Sequence, residues 1–122
     1  MKSESTGLKH IIDAAGYSVS GFKAAWRNES AVRQEVCIFS VLIPTAFWLG
    51  DSAVEVILLI GCCLLVLMAE IMNGALEAVV DRIGLEHHEL SGRAKDMASA
   101  AVYVAWANMV MVWILIGSEH FL

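Results

Sequence analysis

The chain has 122 residues, of which 58% are hydrophobic and only 17% are charged. Soluble domains are roughly 45–50% apolar and about 25% charged, and a single soluble domain of this length cannot bury so many apolar side chains. The net charge of −5, with only eight Lys and Arg residues, excludes a nucleic-acid-binding surface, so the composition predicts a small integral membrane protein.

The first predicted element is an amphipathic helix over residues 8–26, within an N-terminal region of residues 1–30. Its apolar residues recur at intervals of three and four: Leu8, Ile11, Ile12, Ala15, Val19, Phe22 and Trp26. This spacing predicts an apolar stripe, and the tryptophan is typical of a helix in the membrane interface. We expect the helix to lie on the cytoplasmic membrane surface, and packing against a soluble partner is the alternative.

Three apolar segments follow, at about residues 31–49, 54–80 and 97–118, and each is predicted to cross the membrane. A span needs about 20 helical residues. The third segment has 22 uncharged residues, from Met97 to Ser118, whereas the first has 14, from Val36 to Leu49, and contains Pro44. The first helix therefore has to begin before Val36 if it is to cross the bilayer.

The basic residues predict the orientation of these spans. They lie before the first span or between the second and third: Lys2, Lys9, Lys23, Arg27, Arg33, Arg82, Arg93 and Lys95. The loop around Asp51 and the tail after Ser118 contain none. Because basic residues concentrate in cytoplasmic loops, we expect a cytoplasmic N-terminus and a periplasmic C-terminus.

The second span carries a row of polar residues towards its cytoplasmic end, which we call the polar ladder: Glu70, Asn73, Glu77 and Asp81. At about 100° per residue, these positions face the same way. A carboxylate within a span costs about 2.5–3.5 kcal/mol and is a functional candidate by default. We predict function for Glu70, Asn73 and Glu77, with a helix-packing seam as the alternative, and interpret Asp81 as the end of the span emerging into water.

Glu70 and Glu77 lie about 10 Å apart along a helix, so we expect separate roles for them, such as base and metal ligand. On composition, the segment after the polar ladder reads as a solvated loop, but Lys95 and Asp96 open the third span and are placed to fold back over the ladder. The sequence contains no zinc-type spacing and no known phosphate-binding loop.

Two long motifs cover the polar ladder and the start of the third span. They are Glu70-x-x-Asn73-x-Ala75-x-Glu77-Ala78-Val79-Val80-Asp81-Arg82-Ile83-Gly84 and His88-Glu89-Leu90-Ser91-Gly92-Arg93-Ala94-Lys95-Asp96-Met97. Both resemble the bacterial integral-membrane diacylglycerol kinase family. The segments 14–18, 24–29 and 33–35 match as well, so the resemblance covers nearly the whole chain. It implies an all-α homotrimer of three-span subunits, each with a surface helix, in the bacterial inner membrane. It also implies phosphorylation of diacylglycerol to phosphatidic acid by MgATP, in phospholipid recycling, at active sites shared between subunits.

The resemblance further implies roles for individual residues. Glu70 is implied as the catalytic proton acceptor, and Glu29 and Glu77 as ligands of Mg²⁺. The implied ATP-binding set is Tyr17, Glu29, Asn73, Glu77, Glu86, His87, His88, Lys95 and Asp96. The implied lipid-binding set is Ala14, Ala15, Gly16, Tyr17, Ser18, Ala24, Ala25, Trp26, Arg33, Gln34, Glu35, Trp48, Glu70, Ser99 and Trp113.

Two alternative functions stay open at this point. One is undecaprenol kinase, made by related proteins that have a different loop after the polar ladder. The other is a non-enzymatic small transporter or pore in which Glu70 carries protons or cations. A pore gives no reason for Glu29, Lys95 and Asp96 to accompany Glu70 at the cytoplasmic edge.

Overall fold

The computed structural model describes residues 6–122 and forms four α-helices over that range. They are α1 (Gly7–Asn28), α2 (Ser30–Leu49), α3 (Ala53–Ile83) and α4 (Glu89–Phe121). Helices α2, α3 and α4 are each long and apolar enough to cross a membrane. The prediction of an all-α membrane protein with three spans is therefore confirmed. Lys2 and the start of the predicted N-terminal region lie outside the described residues.

Helix α1 belongs to a structural unit of its own, which ends at Ser30. The apolar side chains of its predicted stripe are exposed within this unit, including Leu8, Ile11 and Phe22. The helix ends where the backbone N–H of Glu29 donates a 2.9 Å hydrogen bond to the carbonyl of Ala25. The location of this helix on a membrane surface stays a prediction.

Helix α2 begins at Ser30, six residues before Val36, and continues through Pro44 to Leu49. Its 20 residues extend about 30 Å, which matches the hydrocarbon thickness of a bilayer. A proline removes one helical hydrogen bond, and membrane helices tolerate this loss when neighbouring groups satisfy the backbone. The 14 uncharged residues from Val36 to Leu49 are too few to cross a bilayer. The helix reaches the required length because it also includes the six residues before Val36.

A tight turn joins α2 to α3. The side-chain oxygen of Ser52 accepts a hydrogen bond from the backbone N–H of Glu55 at 3.2 Å, while Glu55 accepts one from the backbone N–H of Asp51 at 3.3 Å. This exchange is a variant of the capping box that starts many helices. A Cβ atom at Gly50 would lie 2.7 Å from Cγ2 of Val56, so the close approach of the two helices requires glycine there.

Helices α3 and α4 are longer than a membrane is thick. Their 31 and 33 residues extend about 46 and 50 Å, against a hydrocarbon core of about 30 Å. Helix α3 continues without interruption through Glu70 and Asp81 to Ile83. The polar ladder therefore begins on the apolar part of α3 and continues to the C-terminal end of the helix.

The core between α2, α3 and α4 consists of two buried clusters. The first contains Phe39, Cys62, Cys63, Val66, Ala105 and Met109, and the second contains Ala46, Leu49, Leu59 and Ile116. The indole N–H of Trp113 donates a 3.2 Å hydrogen bond to the carbonyl of Leu59 and so ties α4 to α3. All three cysteines lie within apolar runs of the sequence, where burial is expected; Cys62 and Cys63 are buried, but Cys37 is exposed on α2.

We predict that Leu59→Ala destabilises the fold much more than Leu58→Ala. Leu59 is fully buried, whereas its neighbour Leu58 is 49% exposed. Truncating a buried leucine leaves a cavity and costs about 2–5 kcal/mol, while an exposed position should change stability by less than about 1 kcal/mol. Denaturant unfolding of both variants in the same detergent measures the difference. Equal losses of stability would contradict this packing of α3.

Candidate active site

The polar ladder lies on one continuous helix, and its members differ in burial. Glu70 is 8% exposed, Asn73 and Glu77 are half-buried, and Asp81 is exposed. The amide nitrogen of Asn73 donates a 3.2 Å hydrogen bond to Oε1 of Glu77, one turn further on. Oδ1 of Asn73 is buried and has no hydrogen-bond partner among the described residues. The ladder thus runs from a buried carboxyl group to an exposed one.

Glu70 faces a cavity of about 400 Å³, which we call the Glu70 cavity. Its polar lining comes from three helices: Gln34 and Glu35 on α2, Glu70 on α3, and Tyr103 and Trp106 on α4. Glu35 is only 4% exposed. Helix packing therefore brings together Gln34, Glu35 and Glu70, three members of the implied lipid-binding set.

A second cavity, of about 220 Å³, lies where α3 ends and α4 begins, and we call it the Lys95 cavity. Its lining contains Asp81, Glu86, His87, His88 and Lys95. This arrangement brings Lys95 together with three further members of the implied ATP-binding set, Glu86, His87 and His88, which composition alone placed in a solvated loop.

Lys95 contacts the polar ladder directly. Its Nζ lies 2.7 Å from Oδ1 of Asp81, and the two side chains are 42% and 49% exposed. The expectation that Lys95 folds back over the ladder is confirmed. An exposed ion pair contributes about 0–1 kcal/mol to stability, so the contact matters mainly because it fixes the position of the ammonium group. Asp81 does emerge from the span, as expected, but it also holds Lys95.

His88 caps α4 at the turn between α3 and α4. It is the N-cap residue of α4, and its Nδ1 accepts a 3.0 Å hydrogen bond from the backbone N–H of Leu90. Capping satisfies one of the free N–H groups at the start of a helix. Asp96 is exposed and lies outside the lining of both cavities.

Two tryptophans of the implied lipid-binding set lie away from the two cavities. Trp113 bonds to the carbonyl of Leu59, which is eleven residues, or about 16 Å, from Glu70 along α3. The ring of Trp48 packs against His120 and Phe121, with centroid separations of 5.0 and 6.0 Å. Lipid contacts at these positions stay predictions, separate from the chemistry at Glu70.

The remaining residues of the implied sets are placed as follows. Ala14, Ala15, Gly16, Tyr17, Ser18, Ala24, Ala25 and Trp26 lie on α1, Glu29 follows its last residue, Arg33 is half-buried on α2, and Ser99 is exposed on α4. Tyr17 and Trp26 are each 47% exposed, and the hydroxyl of Ser18 donates a 3.0 Å hydrogen bond to the carbonyl of Ala14. Their roles stay predictions.

Sequence reasoning missed Tyr103 and Trp106 as cavity residues. The spacing of residues in α4 could have identified Trp106. Lys95, Val102 and Trp106 follow one another at intervals of seven and four residues, which is the spacing of Glu70, Glu77 and Asp81 on α3. On a helix this spacing keeps side chains within about 20° of one face. Val102 and Trp106 line the Glu70 cavity, on the face of α4 that carries Lys95.

No group of three or more His, Cys, Asp or Glu side chains among residues 6–122 is arranged to hold a metal ion. Glu29 and Glu77, the two carboxylates implied as metal ligands, are each half-buried. Mg²⁺ is commonly bound by one or two carboxylates together with water and substrate phosphates. The donor chemistry of Glu77 fits that kind of site.

Buried carboxyl groups on membrane spans, next to a lysine-lined cavity, are typical of a membrane-embedded enzyme. Comparison with known proteins gives the family. The pattern of the family described as prokaryotic diacylglycerol kinase matches residues 16–117, and the chain belongs to this family.

Three relatives show how far the similarity extends. A diacylglycerol kinase of Escherichia coli (strain K12) is 50% identical over 121 residues, which cover 99% of both chains. One from Pseudomonas aeruginosa is 53% identical over 114 residues, covering 92% of this chain and 93% of the relative. One from Helicobacter pylori (strain 26695) is 39% identical over 107 residues, covering 88% and 84%. The resemblance inferred from the motifs is therefore confirmed over nearly the whole chain.

Proposed function

We propose that the chain transfers the γ-phosphoryl group of ATP to the hydroxyl group of diacylglycerol and so produces phosphatidic acid. The observation that carries this proposal is the Glu70 carboxyl group, buried on a membrane span and facing a cavity. Burying a carboxylate within a membrane span costs free energy, and residues of this kind are usually functional. Its family supplies the substrate class, since the relatives above are diacylglycerol kinases.

In this mechanism Glu70 is the general base. Its carboxylate accepts the proton of the lipid hydroxyl as the hydroxyl oxygen attacks the γ-phosphorus. A general base must lie within hydrogen-bond reach of the proton that it removes. A diacylglycerol molecule in the membrane carries its hydroxyl close to the interface, and Glu70 lies on the part of α3 that precedes the exposed end of the polar ladder.

We assign the nucleotide to the Lys95 cavity and its surroundings. Phosphoryl transfer depends mainly on positioning and on the neutralisation of charge. The ammonium group of Lys95 is directed by Asp81 at 2.7 Å and supplies a positive charge for the phosphates. The neighbouring Glu86, His87 and His88, together with Tyr17, Asn73 and Asp96, complete the proposed nucleotide set.

Mg²⁺ is the metal proposed for this reaction, with Glu29 and Glu77 as its protein ligands. When bound, the metal neutralises charge on the ATP phosphates. Glu77 supplies a hard carboxylate oxygen, as Mg²⁺ requires. Asn73 donates to Oε1 of Glu77 and so orients that carboxylate.

The proposed assembly is a homotrimer in the bacterial inner membrane, with shared active sites, a cytoplasmic N-terminus and α1 on the membrane surface. One feature that supports an assembly is an apolar groove of about 840 Å³ between α3 and α4. The amide side chains of Asn73 and Asn108 interrupt its apolar lining. Polar side chains on membrane helices commonly find partners on neighbouring helices, so a helix of a second subunit suits this groove.

Undecaprenol kinase is the second candidate function. It uses the same base and nucleotide chemistry, and it differs only in the alcohol that the Glu70 cavity accepts. A non-enzymatic pore does not fit, because the chain belongs to a kinase family.

The purified protein should transfer labelled phosphate from ATP to diacylglycerol in detergent–lipid micelles. Monoacylglycerol and undecaprenol, presented at equal surface concentration, are the competing acceptors, and micelles without an acceptor are the control. We expect the fastest transfer to diacylglycerol. Preferential transfer to undecaprenol would replace the proposed substrate, and ATP consumption that does not depend on any lipid alcohol would reject a lipid kinase.

Removing either proposed metal ligand should weaken activation by Mg²⁺. We predict that Glu29→Gln and Glu77→Gln each raise the Mg²⁺ concentration needed for half-maximal activity, because each replaces a charged ligand with a neutral amide. If both residues hold one ion, the double variant should need little more Mg²⁺ for half-maximal activity than the more severely affected single variant. Titration of activity with Mg²⁺ at fixed total ATP measures this effect, with Glu119→Gln on α4 as the control. An unchanged Mg²⁺ dependence in either single variant would contradict a shared site.

Glu70→Gln should abolish most of the turnover while it preserves the fold. The amide keeps the size of the side chain, is no harder to bury than a carboxylate, and lacks a basic oxygen. We expect an assembled protein that still binds MgATP but loses at least about 100-fold in rate, the lower end of the usual contribution of a general base. Near-normal turnover would show that Glu70 is not the base, and loss of assembly would favour a structural role for the polar ladder.

A further inference from the structure

The Glu70 cavity contains a second buried carboxyl group, that of Glu35. Its neighbours are the carboxyl group of Glu70 and the side chain of Trp106. Oε1 of Glu35 is buried and has no hydrogen-bond partner among the described residues. Two carboxyl groups therefore lie side by side in a largely apolar bundle, one from α2 and one from α3.

The charged state of such a pair follows from its surroundings. Two adjacent carboxylates repel each other and cannot both ionise at low cost, so a buried pair holds one proton between its members. Among residues 6–122, no lysine or arginine lines this cavity; its other polar side chains are those of Gln34, Tyr103 and Trp106. Burial side by side therefore favours a single negative charge and a single proton for the pair.

The surroundings also indicate which member holds that proton. Glu35 is less exposed than Glu70, at 4% against 8%, and a buried oxygen without a partner costs less when its group is neutral. A protonated carboxyl group has one O–H donor and remaining acceptor capacity. Glu35 is thus suited to donate to Glu70 while its carbonyl oxygen faces the indole of Trp106.

We propose that Glu35 is a positioning residue that stays protonated and donates a hydrogen bond to the Glu70 carboxylate. This inference rests on the proposed function, in which Glu70 is the base. The hydrogen bond fixes one oxygen of Glu70 and leaves the other free for the lipid hydroxyl. It also keeps the negative charge on Glu70 and not on Glu35.

The proton balance of the reaction is as follows. The lipid oxygen forms a bond to the γ-phosphorus, the bond from that phosphorus to the β–γ bridging oxygen breaks, and ADP leaves with the electron pair. The hydroxyl proton moves to Glu70, so that the pair then holds two protons and no charge. Glu70 releases its proton to water before the next turnover, and Glu35 retains its own proton throughout.

The test compares Glu35→Gln with Glu35→Leu. Glutamine is neutral and keeps an N–H donor for Glu70, whereas leucine fills similar space without a donor. We expect kcat of Glu35→Leu to fall about 10- to 100-fold, the scale of a misplaced catalytic group, and Glu35→Gln to be at least about tenfold more active than Glu35→Leu. The KM for MgATP should not change in either variant, because Lys95 and its neighbours Glu86, His87 and His88 line another cavity.

Stability separates positioning from a structural role. Replacing a carboxyl group in a membrane span with leucine removes an unfavourable burial, so Glu35→Leu should unfold at a higher temperature than the unmodified protein while it turns over more slowly. Thr45→Val is the matched control on α2, since the Thr45 hydroxyl bonds only within its helix, to the carbonyl of Val41 at 2.8 Å. This control should leave kcat unchanged.

Infrared spectroscopy tests the proton on Glu35 without any turnover. The C=O band of a protonated, buried carboxylic acid should be present in the unmodified protein and in Glu70→Gln, and absent from Glu35→Gln. The proposal is overturned if this band persists in Glu35→Gln or is missing from the unmodified protein. It is also overturned if Glu35→Gln is as slow as Glu35→Leu, if Glu35→Leu keeps normal kcat, or if Glu35→Leu loses stability with activity. Failure of the proposed function is distinguishable, because the unmodified protein would then transfer no phosphate to lipid.

Discussion

The unbroken backbone hydrogen bonding of α3 is the constraint on which the candidate site depends. Inside a bilayer every backbone polar group has to be satisfied within the protein, so a loop exposed to lipid at membrane depth cannot carry the chemistry. The polar groups of the site must therefore be side chains that recur every three or four residues along a helix. Helix α3 meets this condition by continuing to Ile83, and the spacing of Glu70, Asn73, Glu77 and Asp81 then gives one face that passes from buried to exposed.

The second helix of the site follows from the first by antiparallel packing. The ion pair between Asp81 and Lys95 fixes the register at the exposed end. Two antiparallel helices have the same rise per residue, so eleven residues back along α3 reach Glu70, and eleven residues forward along α4 reach Trp106. The side chains of Glu70 and Trp106 do line one cavity. A weak, exposed ion pair thus marks the alignment of a buried site about 16 Å away.

Much of this arrangement was predictable from the sequence, because it depends on period and composition. Uncharged runs predicted the three spans, and the spacing of the polar ladder predicted its common face. The proximity of Glu35 to Glu70 was not predictable in that way, since it depends on how α2 rotates against α3, and periodicity within one helix carries no information about that rotation. His88 shows a similar limit: its side chain caps α4, which a histidine pair in a polar loop does not reveal. Asp81 was assigned to the water-exposed end of the span, and only the fold of the loop brought Lys95 to it.

The gradient of burial along the polar ladder also matches the two substrates of the proposed reaction. A lipid hydroxyl has to be activated near the apolar region, where the carboxyl groups of Glu35 and Glu70 are both buried. The phosphates of a nucleotide carry several negative charges and have to stay near water, where Lys95 is 42% exposed. Asn73 and Glu77, bonded to each other at 3.2 Å, occupy the intermediate level on the same face. The proposed phosphoryl transfer requires the two substrates to meet, and this intermediate level lies between the buried Glu70 and the exposed Lys95. The buried carboxyl groups and the exposed ammonium group therefore lie at different depths of the site. The helical period of α3 places the ladder residues between them on one face.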